Sequence, residues 1–175
     1  MYKFPFDFQA EVERWLPDHV RMIAKKFIID FEKILEDAKE EGYTIIVGHI
    51  TPGHYDQQDE LVCQYYNDSI IFYSRQYYKG KRTNRLVRSR AGDKPAYYSC
   101  IEIVWFKDGT EHREHDKPAY LMHDLAEWCV NGKWHRSDSG PTSINGFRQE
   151  IKFHLNHDLY KKITPEGEKT WDISK

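Results

Sequence analysis

Trp105-Phe-Lys-Asp-Gly109-Thr-Glu-His112-Arg113-Glu-His-Asp-Lys-Pro118-Ala119 and Trp128-Cys-Val-Asn-Gly132-Lys-Trp-His135-Arg136-Ser-Asp-Ser-Gly-Pro141-Thr142 align without a gap at Trp, Gly, His-Arg and Pro. They begin 23 residues apart, at 105 and 128, which is the mark of a tandem repeat. Asp108-Gly109 and Asn131-Gly132 are the dipeptides of tight primed turns, where Gly takes positive φ without a Cβ clash. Each unit is therefore expected to be a strand, a turn and a returning strand. A lone hairpin cannot bury Trp105 or Trp128, so neighbouring units must stack or extend one sheet. Pro118 and Pro141 then mark the crossing to the next unit, where no ladder donor is needed.

Upstream, Arg90-Ala-Gly-Asp93-Lys94-Pro95-Ala96-Tyr97 matches Arg113-Glu-His-Asp116-Lys117-Pro118-Ala119-Tyr120, but Arg82 and Ser89 stand where Trp and His are due. This first copy is altered. Downstream, Phe153-x3-His157-x2-Tyr160-Lys161 keeps the spacing with every residue type relaxed. A second helix with Phe147, Ile151, Leu155 and Leu159 as its i+4 stripe fits the same stretch.

The N-terminal third has a different texture. Val20, Ile23, Ala24, Phe27, Ile28, Phe31, Ile34, Leu35 and Ala38 fall at three- and four-residue steps among charges, predicting an amphipathic helix over residues 18–41. Asp18 is its expected N-cap and Gly42 its stop. Strands are predicted from Tyr43 to the Thr51-Pro52-Gly53 break, over Leu61–Tyr66, and over Ile70–Tyr73 after the turn pair Asn67-Asp68. The expected fold class is α+β: an N-terminal amphipathic helix packed on an antiparallel meander of β-hairpin repeats. One domain is expected over 1–175, with the helix at 18–41, strands at 43–73, and repeat hairpins at 76–161 in two intact and two degenerate copies.

Composition narrows the function classes. Aromatics reach 15%, which favours strands and contact surfaces. The formal charge of −2 excludes a global basic field of the kind nucleic-acid and membrane-surface binders carry. Cys63, Cys100 and Cys129 are odd in number and widely spaced, so they read as reduced, buried thiols. The start lacks a signal peptide's apolar run and no stretch nears the roughly 20 apolar residues that span a bilayer, so a cytoplasmic protein is expected.

Trp-x3-Gly-x2-His-Arg-x4-Pro-Ala resembles the MORN-like repeats of small bacteriophage-encoded proteins, over residues 76–142 and weakly to 161. Lys94 and Lys117 depart from that family's usual Gly before Pro, and Thr142 from its Ala. The resemblance implies a viral accessory protein with a sheet-like binding surface, acting in the host cytoplasm, and it carries over no catalytic residue.

The basic segment from Arg75 to Arg90 holds seven cations and no acid. Tyr77, Tyr78, Lys79, Lys81, Arg82, Arg85, Arg88 and Arg90 suit a phosphate backbone or an acidic protein face, against the plainer reading of a solvated hairpin tip. His112-Arg113 and His135-Arg136 form a second candidate, a ladder of imidazoles and guanidiniums for an anion, against a purely structural role for the arginines. His112, His115 and Asp116, and separately His49, His54, Asp56, Asp59 and Glu60, have metal-ligand chemistry without a closed spacing, so no metal or other cofactor is expected. His123-Asp124 and His157-Asp158 lack the context of a catalytic dyad. The expected function is therefore non-enzymatic: a phage-type accessory protein that binds and inhibits a host bacterial protein, such as a defence component, through its repeat sheet. The alternatives are capture of a nucleotide or nucleic acid by the basic strip, and a metal-dependent hydrolase using His49, His54 and Asp56. No membrane partner is expected, and the sequence leaves open whether an exposed last strand pairs with a second copy in a homodimer or is capped by the helix.

Overall fold

Asp30 takes φ −83° and ψ 88°, outside helical space, and its carboxylate accepts from the Lys33 backbone N–H at 3.0 Å. That cap starts helix α1 (Phe31–Glu40) and corrects the continuous helix expected over 18–41, because Ile29 and Asp30 are not helical. A short carboxylate competes with the backbone ladder and favours a new helix start. The computed structural model describes residues 29–49, 59–122, 125–155 and 157–173, so Asp18 and the expected helix over 18–28 lie outside the described residues. At the other end Gly42 stops the helix as expected. Tyr43 N–H donates to the Ala38 carbonyl at 2.9 Å and Gly42 N–H to the Lys39 carbonyl at 3.0 Å, the paired bonds that satisfy a helix's last carbonyls.

The described residues up to Glu111 form one compact unit and those from His112 onward another. In the first, α1 sets Phe31, Ile34, Leu35 and Ala38 against Tyr43, Cys63, Ile70, Phe72 and Ala96. The strands are β1 (Thr44–Val47), β2 (Leu61–Tyr66), β3 (Ser69–Tyr78), β4 (Lys81–Arg88), β5 (Tyr97–Ser99) and β6 (Glu102–Val104), with a small separate hairpin of β7 (Phe106–Lys107) and β8 (Thr110–Glu111). The order is β1-β2-β3-β5-β6, and β4 pairs with the far half of β3. β1 runs parallel to β2, Thr44 opposite Val62, which corrects the purely antiparallel meander. A long connection, unlike a tight turn, allows parallel pairing.

In the second unit β9 (Tyr120–Met122), β10 (Leu125–Glu127), β13 (Ser143–Asn145), β14 (Glu150–Leu155), β15 (Asp158–Thr164) and β16 (Gly167–Thr170) follow one another antiparallel, beside a two-stranded hairpin of β11 (Cys129–Val130) and β12 (Lys133–Trp134). Strands β5, β9 and β13 start 23 residues apart, at 97, 120 and 143. Each such stretch holds two hairpins instead of the expected one. Main-sheet strands β5–β6 and β9–β10 are each followed by Trp and then by a side hairpin whose strands are two residues long. The turns of the side hairpins are Asp108-Gly109 and Asn131-Gly132, all four residues at positive φ (51°, 84°, 52° and 72°). Trp128 is where the chain leaves the sheet: its N–H donates to the Thr142 carbonyl at 2.9 Å, and its carbonyl accepts from His135 N–H at 3.1 Å, closing the side hairpin. The stretch around 147–162 is a strand pair, β14 on β15, so the helical alternative falls: Ile151 and Phe153 are buried in the two-residue period of a strand while Phe147 and Leu155 are exposed. Cys63 and Cys129 are buried, but Cys100 is exposed in the turn between β5 and β6, which corrects the expectation of three buried thiols. The described chain is thus mostly β with one short helix. None of its helices is long and apolar enough to cross a membrane.

Candidate functional site

The arginines of the repeated motif share one geometry. Nη1 of Arg90, Arg113 and Arg136 donates to the carbonyl of the proline five residues on, Pro95, Pro118 and Pro141, at 3.5, 3.1 and 3.3 Å. The residue after each proline, Ala96, Ala119 or Thr142, is fully buried and sends its N–H into the neighbouring strand at 2.8–2.9 Å. Arg136 lies over the Trp128 ring at 4.6 Å and Arg90 over the Phe72 ring at 3.9 Å. Lys161 holds the same relation to Phe153 at 5.1 Å, eight residues on as Arg136 is from Trp128. In the first copy, where Arg82 occupies the Trp position, Phe72 of β3 supplies the ring.

Arg90 is buried, with Nε and Nη2 on the Glu41 carboxylate at 3.0 and 2.5 Å and Nη1 also on the Tyr98 hydroxyl at 3.1 Å. The Arg90 bond, joined by Lys94 at 2.9 Å, holds the Glu41 carboxyl below its ordinary pKa. Arg136 pairs with Asp138 at 2.7 Å. His112 shares Nδ1 with Asn131 and reaches Glu114 through Nε2 at 3.3 Å. Asp116 accepts from Ser137 N–H at 2.6 Å and from its hydroxyl, and these bonds outweigh its burial and keep its pKa low. Arg90, Arg113, Arg136, His112 and Asp116 are thus each bonded within a turn or crossing, whereas His135 is exposed.

The basic strip is brought together differently. Tyr77, Tyr78, Lys79, Lys81 and Arg82 crowd the tip of the β3–β4 hairpin, with Lys79 and Gly80 as its two-residue turn at φ 48° and 73°. Tyr77 is 56% and Tyr78 67% exposed, and Lys79 Nζ stands 5.5 Å from the Tyr78 ring. Arg85 and Arg88 are exposed further along β4, Arg88 at 5.8 and 5.5 Å from the Tyr97 and Phe106 rings. Arg75 is buried and turned inward, Nε donating to the Asp59 carbonyl at 3.1 Å. Glu60, which the sequence placed only among metal-ligand candidates, accepts from Tyr77 Oη at 3.1 Å and pairs with Arg82; the Arg82 bond holds its carboxyl below the usual range. Among the described residues Lys79, Lys81 and Arg85 enter no ion pair.

No family model, curated protein or solved structure matches this chain.

Among the described residues no group of three His, Cys, Asp or Glu could hold a metal ion. His54, Asp56 and the His123-Asp124 pair lie outside the described residues. Burial pushes the Cys63 thiol up to about 12, so it is a protonated core residue. A second aromatic cluster went unseen in the sequence. Trp134, 40% exposed, lies 4.4 Å from the His154 ring, whose Nδ1 is 2.6 Å from the Thr142 hydroxyl, while that hydroxyl donates to the Lys152 carbonyl. Burial keeps the His154 pKa below its ordinary value, so the ring is neutral near pH 7. What the hairpin tip can do chemically is plainer: exposed phenol rings offer stacking and apolar contact, and the cations around them offer charge to an anionic surface.

Proposed function

We propose that this chain is a non-enzymatic binding protein whose contact surface is the β3–β4 hairpin, and that its partner is a host bacterial protein with an acidic face which it inhibits. The observation that carries the reading is the pairing of exposed Tyr77 and Tyr78 with Lys79, Lys81 and Arg85, which enter no ion pair among the described residues. Exposed aromatics cost solubility, and clustered on a surface they mark a place that a partner covers, while the cations beside them select an acidic one. His112, Arg113 and Arg136, in contrast, are bonded within their own turns, so the reading moves the contact surface from the repeat sheet as a whole to the altered first copy. An accessory role of the kind implied by the phage-repeat resemblance needs no more than such a surface.

The test is affinity capture from bacterial lysate with wild type and with the triple variant Lys79→Glu, Lys81→Glu, Arg85→Glu, each with and without nuclease. A protein retained by wild type after nuclease and lost by the variant is the expected result. Capture unaffected by the variant refutes the surface. Lys79 over the Tyr78 ring also suits a stacked base and its phosphate. On that second reading, capture disappears with nuclease.

A further inference from the structure

Among the described residues strand β4 pairs with β3 alone. Ser89 N–H donates to the Phe72 carbonyl at 3.1 Å, in register with the β3–β4 pairing, so Val87 and Ser89 turn their backbone groups toward β3. Antiparallel alternation turns those of Leu86 and Arg88 outward. The Arg88 carbonyl accordingly accepts from Gly109 N–H at 2.9 Å, and the β7–β8 turn closes that end of the edge. From Lys81 to Leu86 the outer edge meets no other described strand.

Open edges are commonly blunted with charge alone, and β16 shows that arrangement. Its Gly-Glu-Lys-Thr is exposed throughout, carries both signs, and has Glu168 on Lys161 at 2.9 Å. β4 is different in kind. Its charges are cations only, those at Lys81 and Arg85 enter no ion pair among the described residues, and the strand beside it ends in two exposed tyrosines. An edge protected merely against aggregation gains nothing from exposed Tyr77 and Tyr78.

We propose that an extended acidic segment of a protein partner adds to β4 as a further strand. Its backbone pairs with the outward N–H and C=O of Leu86 and, past the register shift between Leu86 and Arg82, with those of Arg82, and its carboxylates meet Lys79, Lys81 and Arg85. Main-chain bonds supply the affinity of strand addition and alternate side chains its selectivity. This inference rests on the hairpin being the contact surface.

The test uses the full chain and a fluorescent synthetic peptide alternating Glu with Val or Thr, read by anisotropy. Two further peptides carry backbone N-methyl groups at odd or at even positions, which removes the donors along one edge without altering charge. The expected result is binding of the parent peptide, loss of about tenfold or more for one methylated peptide, and about twofold or less for the other. Equal binding of the two methylated peptides overturns strand addition, as does failure of the parent to bind or its displacement by a tighter-binding single-stranded oligonucleotide. Lys81→Glu with Arg85→Glu separates the two levels. Unchanged peptide binding in that variant sinks the contact surface itself, whereas binding lost in the variant but equal for both methylated peptides sinks strand addition alone.

Discussion

The Arg90 guanidinium combines Nε and Nη2 on Glu41 with Nη1 on the Pro95 carbonyl and the Tyr98 hydroxyl, a planar fork that an ammonium cannot reproduce. Arg90→Lys is therefore expected to lower stability by about 2–4 kcal/mol in urea denaturation, since the buried cation loses its bidentate bond to the partly buried Glu41 carboxylate. A loss well under about 1 kcal/mol would contradict the assignment. The same pair sets a pH dependence. Glu41 has a folded-state pKa below its ordinary 4.5, so its contribution is fully present above that value and is lost as pH falls through the lowered one. Wild type is expected to lose stability below pH 4.5 more steeply than Glu41→Gln, measured as the urea midpoint at successive pH values. Trp128, 1% exposed with its indole N–H on the Asp116 carbonyl at 2.8 Å, gives a second check on the motif. Trp128→Ala is expected to cost about 3–5 kcal/mol by the same measurement, the usual range for a buried large aromatic.

At the scale of elements, what the sequence revealed depends on how local the signal was. The turns at Asn67-Asp68, Asp108-Gly109 and Asn131-Gly132 were readable because a tight turn is decided by its own two residues, and all six take positive φ. β2 appeared with its expected bounds, Leu61–Tyr66, since its apolar and β-prone run ends at such a turn. The helix start at Asp30 is hidden in the sequence because the apolar period runs through it, while one side-chain bond to Lys33 decides the start there. Parallel pairing of β1 and the side hairpins after Trp were hidden for a different reason. They depend on which distant backbone group a strand meets, as Trp128 meets Thr142, and no local pattern encodes that. Of the candidate site, the basic strip is legible as composition, but no local pattern signals that Glu60 joins it or that Arg75 and Arg90 are buried. The side hairpin makes its own test possible. Gly109 sits at φ 84°, and a Cβ there would stand 3.4 Å from Val87. Gly109→Ala is expected to cost about 1–2 kcal/mol, with faster amide exchange of Phe106–Glu111, because an L side chain is strained at that φ. Unchanged exchange would mean that the turn adjusts without strain.

Across the whole molecule charge is unevenly spread along the chain. There are 28 acids against 26 bases, and the segment 75–90 takes seven of the bases and no acid, which leaves 19 bases for everything else. A local cationic hairpin on an otherwise acidic chain repels indiscriminate anion binding and still attracts a partner that presents an acidic face to that hairpin. Such attraction acts on the encounter more than on the residence of a complex. With the captured partner immobilised, the association rate of wild type is expected to fall about tenfold or more between roughly 0.05 M and 0.5 M salt, while dissociation changes little. Lys79→Glu, Lys81→Glu, Arg85→Glu is expected to slow association at low salt and to flatten that dependence. Its urea stability should stay within about 0.5 kcal/mol of wild type, because the three side chains are exposed and enter no ion pair among the described residues. An association rate indifferent to salt in wild type would place the contact away from the hairpin, however the partner is held.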